Sequence, residues 1–76
     1  MTAIKNLQLD FITELNQCNF GNVIQEDDSY QHIISIIENT KINTTIKNKL
    51  IELLNDTSIS LQETYFNALD FLEQIQ

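Results

Sequence analysis

The sequence predicts an all-α protein: a small four-helix bundle, mostly antiparallel, with one longer loop between helices 1 and 2. Apolar residues recur at three- and four-residue steps in four separate stretches, which is the spacing of one face of a helix. The chain contains no proline and only one glycine, Gly21, so few residues interrupt those stretches. Its 76 residues predict one domain, residues 1–76, in which efficient helix packing must stabilise a small core.

Helix 1 is predicted at residues 3–18, with Thr2 as its N-cap. Its apolar residues form one stripe: Ile4, Leu7, Phe11, Leu15 and Cys18. Gly21 follows and supplies a residue that takes a positive φ just past a helix end. Residues 19–27 are the predicted longer loop. Its apolar side chains are expected to pack back on the core: Phe20, Val23 and Ile24.

Helix 2 is predicted at residues 29–40, capped by Asp28 or Ser29, with three acids at the positive end of its dipole. Those acids are Glu26, Asp27 and Asp28. The inner stripe contains Tyr30, Ile33, Ile34 and Ile37. The isoleucines favour a strand by propensity, but the apolar spacing around them keeps the helical period, so a helix is preferred.

Helices 3 and 4 follow after short connections, which favour antiparallel neighbours. Helix 3 is predicted at residues 44–55, capped by Asn43 or Thr44. Helix 4 begins at a capping box in which Ser60 and Glu63 each satisfy an orphan amide. The inward residues of helix 3 are Ile42, Ile46, Leu50, Leu53 and Leu54. Those of helix 4, which extends to the C-terminus, are Leu61, Tyr65, Ala68, Leu69, Leu72 and Ile75.

Catalytic side chains are scarce in this chain, and we expect no enzyme activity. His32 is the only histidine, and helical geometry at about 100° per residue turns it away from the core, beside Ser35. One such pair lacks the orienting group and the pocket that a nucleophilic site needs, so His32 is interpreted as a surface residue. Cys18 is interpreted as a small buried apolar residue.

Metal and cofactor sites are not expected either. The consecutive acids at 26–28 lack the alternate spacing and central glycine of a calcium loop, and the sequence holds no phosphate-binding loop or dinucleotide fingerprint. The single cysteine has no partner for a disulfide, which favours a cytoplasmic protein. Since no signal peptide and no run of about 18 apolar residues is found, no membrane contact is expected.

The charge of the chain favours a protein partner. Eleven acids against four lysines give a net charge of −7. Contacts to phosphate require Arg and Lys, so nucleic acid is not expected as a direct ligand. An acidic surface is steered instead towards a basic groove on another protein.

One apolar side chain in each helix falls outside the inner stripe: Leu9, Ile36, Ile51 and Phe66. These four either widen the core or form a homodimer interface. Asp70 and Glu73 lie on either side of Phe66, an arrangement typical of an aromatic anchor within a polar rim. The predicted partner-binding residues are therefore Glu63, Phe66, Asp70 and Glu73, with Asp10, Glu14, Glu26, Asp27 and Asp28 as secondary candidates.

These observations predict a non-enzymatic protein that binds and inhibits or modulates a larger protein. Within that class we favour a phage or mobile-element inhibitor, such as an anti-CRISPR or another anti-defence protein. The carboxylates of such an inhibitor occupy a basic groove meant for phosphates, as a nucleic-acid mimic. Two alternatives stay open: a toxin- or bacteriocin-neutralising immunity protein or antitoxin, and a homo-oligomeric adaptor protein.

Overall fold

The computed structural model describes residues 2–75 and places them in four α-helices. They are α1 (Thr2–Gln17), α2 (Val23–Asn39), α3 (Thr44–Leu54) and α4 (Leu61–Gln74). Each helix packs on the next one along the chain, and α1 also packs on α4, so the four surround one core. The prediction of a small all-α four-helix bundle is confirmed.

The direction of the helices follows from contacts at their ends. Lys47, in the first turn of α3, donates from Nζ to the backbone oxygen of Glu38, near the end of α2, at 3.1 Å. Tyr30, midway along α2, donates from its hydroxyl to Oδ1 of Asn55, just past the end of α3, at 2.6 Å. These two helices are therefore antiparallel. The other two connections, residues 18–22 and 55–60, are also short, and three successive reversals leave α1 antiparallel to α4.

The predicted longer loop between the first two helices is wrong, because α2 begins at Val23 and the connection spans only residues 18–22. Asn22 caps the helix, its Oδ1 accepting from the amide of Gln25 at 3.1 Å. Glu26 reaches back to accept from the amide of Gly21 at 2.6 Å. Gly21 itself has φ +103°, as expected past a helix end. The predicted caps at positions 28 and 29 are therefore wrong, since both residues lie inside α2.

The apolar residues near the start of α2 behave in two ways. Phe20 packs on the core as predicted, with its ring centroid 5.9 Å from that of Tyr65. Val23 and Ile24 are 81% and 74% exposed, so the expectation that they pack back on the core is wrong. They occupy the first turn of a helix whose inner face begins only at Ser29 and Ile33.

The helix starts of α3 and α4 agree with the predictions. Asn43 caps α3 by accepting from the amide of Thr45 at 2.7 Å. Ser60 caps α4 by accepting from the amide of Glu63 at 3.2 Å, which confirms half of the predicted capping box. The Glu63 carboxylate accepts from the Ser60 hydroxyl at 3.5 Å, whereas the prediction gave it an orphan amide. Helix α1 begins at Thr2, and the cap predicted for the Thr2 side chain lies outside the described part of the chain.

Within residues 2–75, every apolar residue that is buried in the core belongs to a predicted inner stripe. They are Ile4, Leu7, Phe11, Ile33, Ile37, Leu50, Leu54, Tyr65, Ala68 and Leu72. Of the four residues outside the stripes, Ile36 and Ile51 are half-buried and pack against this core, whereas Leu9 and Phe66 are exposed. Ile75, predicted to be inward, is 38% exposed just past the end of α4. Among residues 2–75, no helix combines the length and apolar character needed to span a bilayer.

Replacing Gly21 with alanine is expected to lower the free energy of unfolding by about 1–2 kcal/mol, because an L-residue is strained at positive φ. A Cβ at this position meets no atom within 4 Å, so the whole cost lies in the backbone. Urea denaturation measures the loss. D-alanine at position 21, introduced by chemical synthesis, is the matched control and should restore wild-type stability. Equal losses for both variants would contradict the backbone explanation.

Candidate functional site

A groove of about 510 Å³ lies between α1 and α4, and we call it the α1/α4 groove. Its walls are Lys5, Gln8, Leu9 and Ile12 of α1, with Phe66, Leu69, Asp70 and Glu73 of α4. Each set follows the spacing i, i+3, i+4, i+7, which places four side chains on one face of a helix. The two faces adjoin because α1 packs directly on α4.

Large apolar side chains are exposed together in this groove. Leu9 is 60% exposed, Ile12 is 44% exposed and Phe66 is 52% exposed, while Leu69 is partly buried against the core. Scattered apolar residues are normal on a protein surface, but a cluster of them marks an interaction site. Phe66 is the only aromatic side chain among them, and aromatic residues are enriched at the centres of binding interfaces.

The charges of the groove lie towards one end. Because Phe11 and Tyr65 are in contact and the helices are antiparallel, Ile12 and Phe66 mark the apolar end. The other end carries Lys5 from α1 and the acids Asp70 and Glu73 from α4, all exposed. The ion pairs formed within residues 2–75 lie elsewhere, so these three charges are open to a partner.

The structure thus brings together three of the four main candidates from the sequence: Phe66, Asp70 and Glu73. Glu63, the fourth, lies on the first turn of the same helix outside the groove, beside Ser60. The exposed Leu9 joins the groove from α1, and its neighbour Asp10 is half-buried outside it. That these residues bind a partner stays a prediction.

The remaining acidic candidates do not line the groove: Glu26, Asp27 and Asp28 belong to α2, and Glu14 lies on α1 but on another face. Glu26 is committed to the amide of Gly21. Asp27 and Asp28 are exposed on the first turns of α2. Glu14 is not a surface residue, since only 8% of it is exposed.

Glu14, Ser29 and Tyr65 form a buried polar network, and the exposed His32 contacts its edge; we call these four residues the Glu14 network. The Ser29 hydroxyl donates to Oε1 of Glu14 at 2.9 Å and lies 2.8 Å from the Tyr65 hydroxyl. Nδ1 of His32 lies 3.4 Å from Oε2 of the same carboxylate. The network borders a shallow concavity of about 330 Å³ between α1 and α2.

The order of groups in the Glu14 network favours structural stabilisation over catalysis. In a hydrolase triad the imidazole stands between hydroxyl and carboxylate, so that it can take the hydroxyl proton. Here the carboxylate of Glu14 stands between His32 and Ser29, which places the imidazole on the wrong side of it. Burial also raises the pKa of the adjacent Cys18 thiol, which keeps it protonated and weakly nucleophilic.

Sequence reasoning missed this network, although a signal for it existed. Glu14 lies seven residues after Leu7 and three after Phe11, so it occupies the inner stripe of α1. Ser29 precedes the inward Ile33 by four residues and shares its face. Buried polar groups need hydrogen-bond partners, and each of these two supplies one for the other.

Comparisons with protein-family models, with curated proteins and with solved structures found no match to this chain. The candidate site is therefore argued from its own geometry. The concavity between α1 and α2 is lined by Glu14, Cys18, Asp28 and His32, among others. Nowhere within residues 2–75 do three or more such side chains group so that they could hold a metal ion.

Replacing Ser29 with alanine is expected to lower the free energy of unfolding by about 1–3 kcal/mol, because the buried Glu14 and Tyr65 oxygens lose a partner. His32→Ala should cost about 0–1 kcal/mol, since the His32 side chain is 62% exposed and solvent screens its contact with Glu14. Urea denaturation compares both with Ser35→Ala, the matched control, which makes the same change at an exposed position of α2. A Ser29→Ala loss no larger than the control would contradict the role of the network.

Alkaline pH is expected to destabilise the fold through Tyr65. Burial raises the pKa of its hydroxyl from 10.0 to about 12, so folding favours the neutral phenol. The stability that this preference contributes to the fold is complete below pH 10.0 and is lost as the pH rises to about 12. Between about pH 8 and about pH 11, the free energy of unfolding should therefore fall by roughly 1 kcal/mol more for the wild type than for Tyr65→Phe.

Urea denaturation at both pH values measures this difference. Tyr65→Phe keeps every other titratable group, so the difference between the two proteins reports the Tyr65 hydroxyl together with its interaction with Cys18. Identical pH dependence for the two proteins would exclude Tyr65 as the group that titrates.

Proposed function

We propose that this protein is a non-enzymatic binding protein that inhibits or modulates a larger protein by docking through the α1/α4 groove. One observation carries the proposal: exposed Leu9, Ile12 and Phe66 lie together beside the unpaired acids Asp70 and Glu73. Such an apolar centre with a charged rim is the usual anatomy of a protein–protein interface. The partner carries a complementary apolar element and a basic surface.

Apolar side chains of the groove contribute affinity, and its acids contribute attraction to a basic partner. Covering an exposed side chain such as Phe66 or Leu9 contributes up to about 1.5–3 kcal/mol, with larger effects where an aromatic anchor fills a pocket. The acids at the rim, together with a net charge of −7, attract a basic partner and accelerate its encounter.

Within this class we favour a phage or mobile-element inhibitor of the anti-CRISPR or anti-defence type. Glu63 and Asp70 lie seven residues apart on α4, so they share a face with Glu73 close by. A rigid helix with a row of carboxylates supports mimicry of a phosphate backbone in a basic groove. A toxin-neutralising immunity protein or antitoxin has the same requirements, and co-expression with a toxic neighbouring gene product would favour it.

A homo-oligomeric adaptor is the second candidate, since the exposed Leu9 and Phe66 could cover each other between two copies. Ile36 and Ile51, the other residues predicted for that interface, pack against the core of the single chain. Charge also opposes self-association, because each copy carries −7. A binding partner of opposite charge is therefore preferred.

The test is a pull-down of the tagged protein from a lysate of its source cells, compared with the double variant Leu9→Ser, Phe66→Ser. Val23→Ser, Ile24→Ser is the matched control, because it removes two exposed apolar side chains outside the groove. The wild type and control should capture the same partner, and the groove variant should lose at least about 90% of it, as expected for an anchor worth over 1.4 kcal/mol.

Washing at about 50 mM and then about 500 mM salt separates the two contributions, because salt screens exposed charges. A partner lost at high salt identifies the acids as dominant, and one retained identifies Phe66 and its apolar neighbours. Equal capture by all three proteins, or capture of nothing beyond a second copy, would contradict docking of a larger partner through the groove.

A further inference from the structure

We infer that the occupant of the α1/α4 groove is a single amphipathic α-helix of the partner, with basic side chains over the α4 edge. This inference rests on the proposed function and adds the chemistry of the bound element. It follows from the shape of the groove, the position of its charges and the net charge of the chain.

The shape of the groove matches a helix. Its two walls are antiparallel helices, and each contributes four side chains at i, i+3, i+4 and i+7. Such a row covers about two turns, or roughly 10 Å along the axis. A third helix laid between them presents apolar residues at the same spacing, which is the common mode of helix-in-groove recognition.

The charges of the groove determine which edge of the bound helix is basic. Apolar anchors lie over the end marked by Ile12 and Phe66, and the opposite end offers Asp70 and Glu73 on the α4 edge. Lys or Arg side chains that extend over that edge keep their stems on apolar surface and place their charged ends on the acids. Lys5 on the α1 edge favours an acidic or neutral residue there.

A second copy of this chain fits the groove poorly. In a two-fold dimer the groove would face an identical groove, which holds one lysine for every two acids. The interface would gather excess negative charge between two molecules that already carry −7 each. A basic helix removes that excess, whereas self-association increases it.

The test is a titration of the full-length, isotope-labelled protein with a helix-stapled synthetic peptide, followed by amide and methyl chemical shifts. The peptide has leucines at i, i+3, i+4 and i+7 and lysines along one edge of the apolar face. Two control peptides have the same composition in scrambled order, or glutamate in place of lysine. We expect the largest shifts at the groove, with both controls binding at least about tenfold more weakly.

Matched protein variants test the role of the charges. Asp70→Asn with Glu73→Gln should weaken peptide binding by about fivefold to tenfold at low salt, as expected for two exposed ion pairs. Glu38→Gln with Glu52→Gln removes the same charge from exposed positions outside the groove and should change affinity by less than about twofold. Phe66→Ala should abolish measurable binding.

The outcomes separate this inference from the proposed function. Equal affinity for the amphipathic and scrambled peptides, or shifts centred outside the groove, would overturn the helical occupant. The proposed function would still stand if a larger partner is captured in a Phe66-dependent manner. Sedimentation showing a dimer that Leu9→Ser and Phe66→Ser dissociate would assign the groove to a second copy and overturn the inference as well.

Discussion

The placement of Tyr65 is the constraint on which the rest of this fold depends. Its ring meets Phe11 of α1 and Phe20 of the first connection edge to face, at centroid distances of 5.5 and 5.9 Å. Its hydroxyl is buried and reaches Ser29 of α2 at 2.8 Å. One side chain of α4 therefore joins α1, α2 and the connection between them. A buried phenol without a hydrogen-bond partner is costly, so α2 must place the Ser29 hydroxyl within hydrogen-bond distance of Tyr65.

The apolar period was sufficient to predict four helices and every apolar residue that is buried in the described part of the chain. The polar residues before α3 and α4 predicted the Ser60 cap and gave Asn43 as one of two candidates, because caps also depend on local sequence. The apolar period failed at the start of α2, where residues 25–28 are all polar and suggested a loop. Gln25 and Glu26 instead turn back to accept from the amides of Asn19 and Gly21. A polar helical turn whose side chains accept hydrogen bonds from preceding backbone amides contains no apolar residues at helical spacing, so the apolar period does not predict it.

The candidate site also has a part that the sequence predicts and a part that only helix packing shows. Phe66 with Asp70 and Glu73 can be found on one helix, because their spacing alone places them together. Leu9 and Ile12 join them only because α1 packs beside α4, which no single-helix pattern contains. Glu14 shows the opposite error: charged residues are seldom buried, so the sequence predicts a surface acid here although the position lies in the inner stripe of α1. Only the packed structure shows the Ser29 hydroxyl that compensates the buried carboxylate.

The groove and the Glu14 network lie on different sides of α1, and this separation matters for function. The groove residues Leu9 and Phe66 are more than half exposed, so the core does not depend on their full side chains. The Glu14 network, by contrast, links α1, α2 and α4 through buried hydrogen bonds on which their packing depends. If the groove binds a partner as proposed, substitutions on that face can change recognition while the fold stays constant. In that case apolar contacts in the groove would govern how long the partner stays bound, and the surrounding acids would govern how fast it associates.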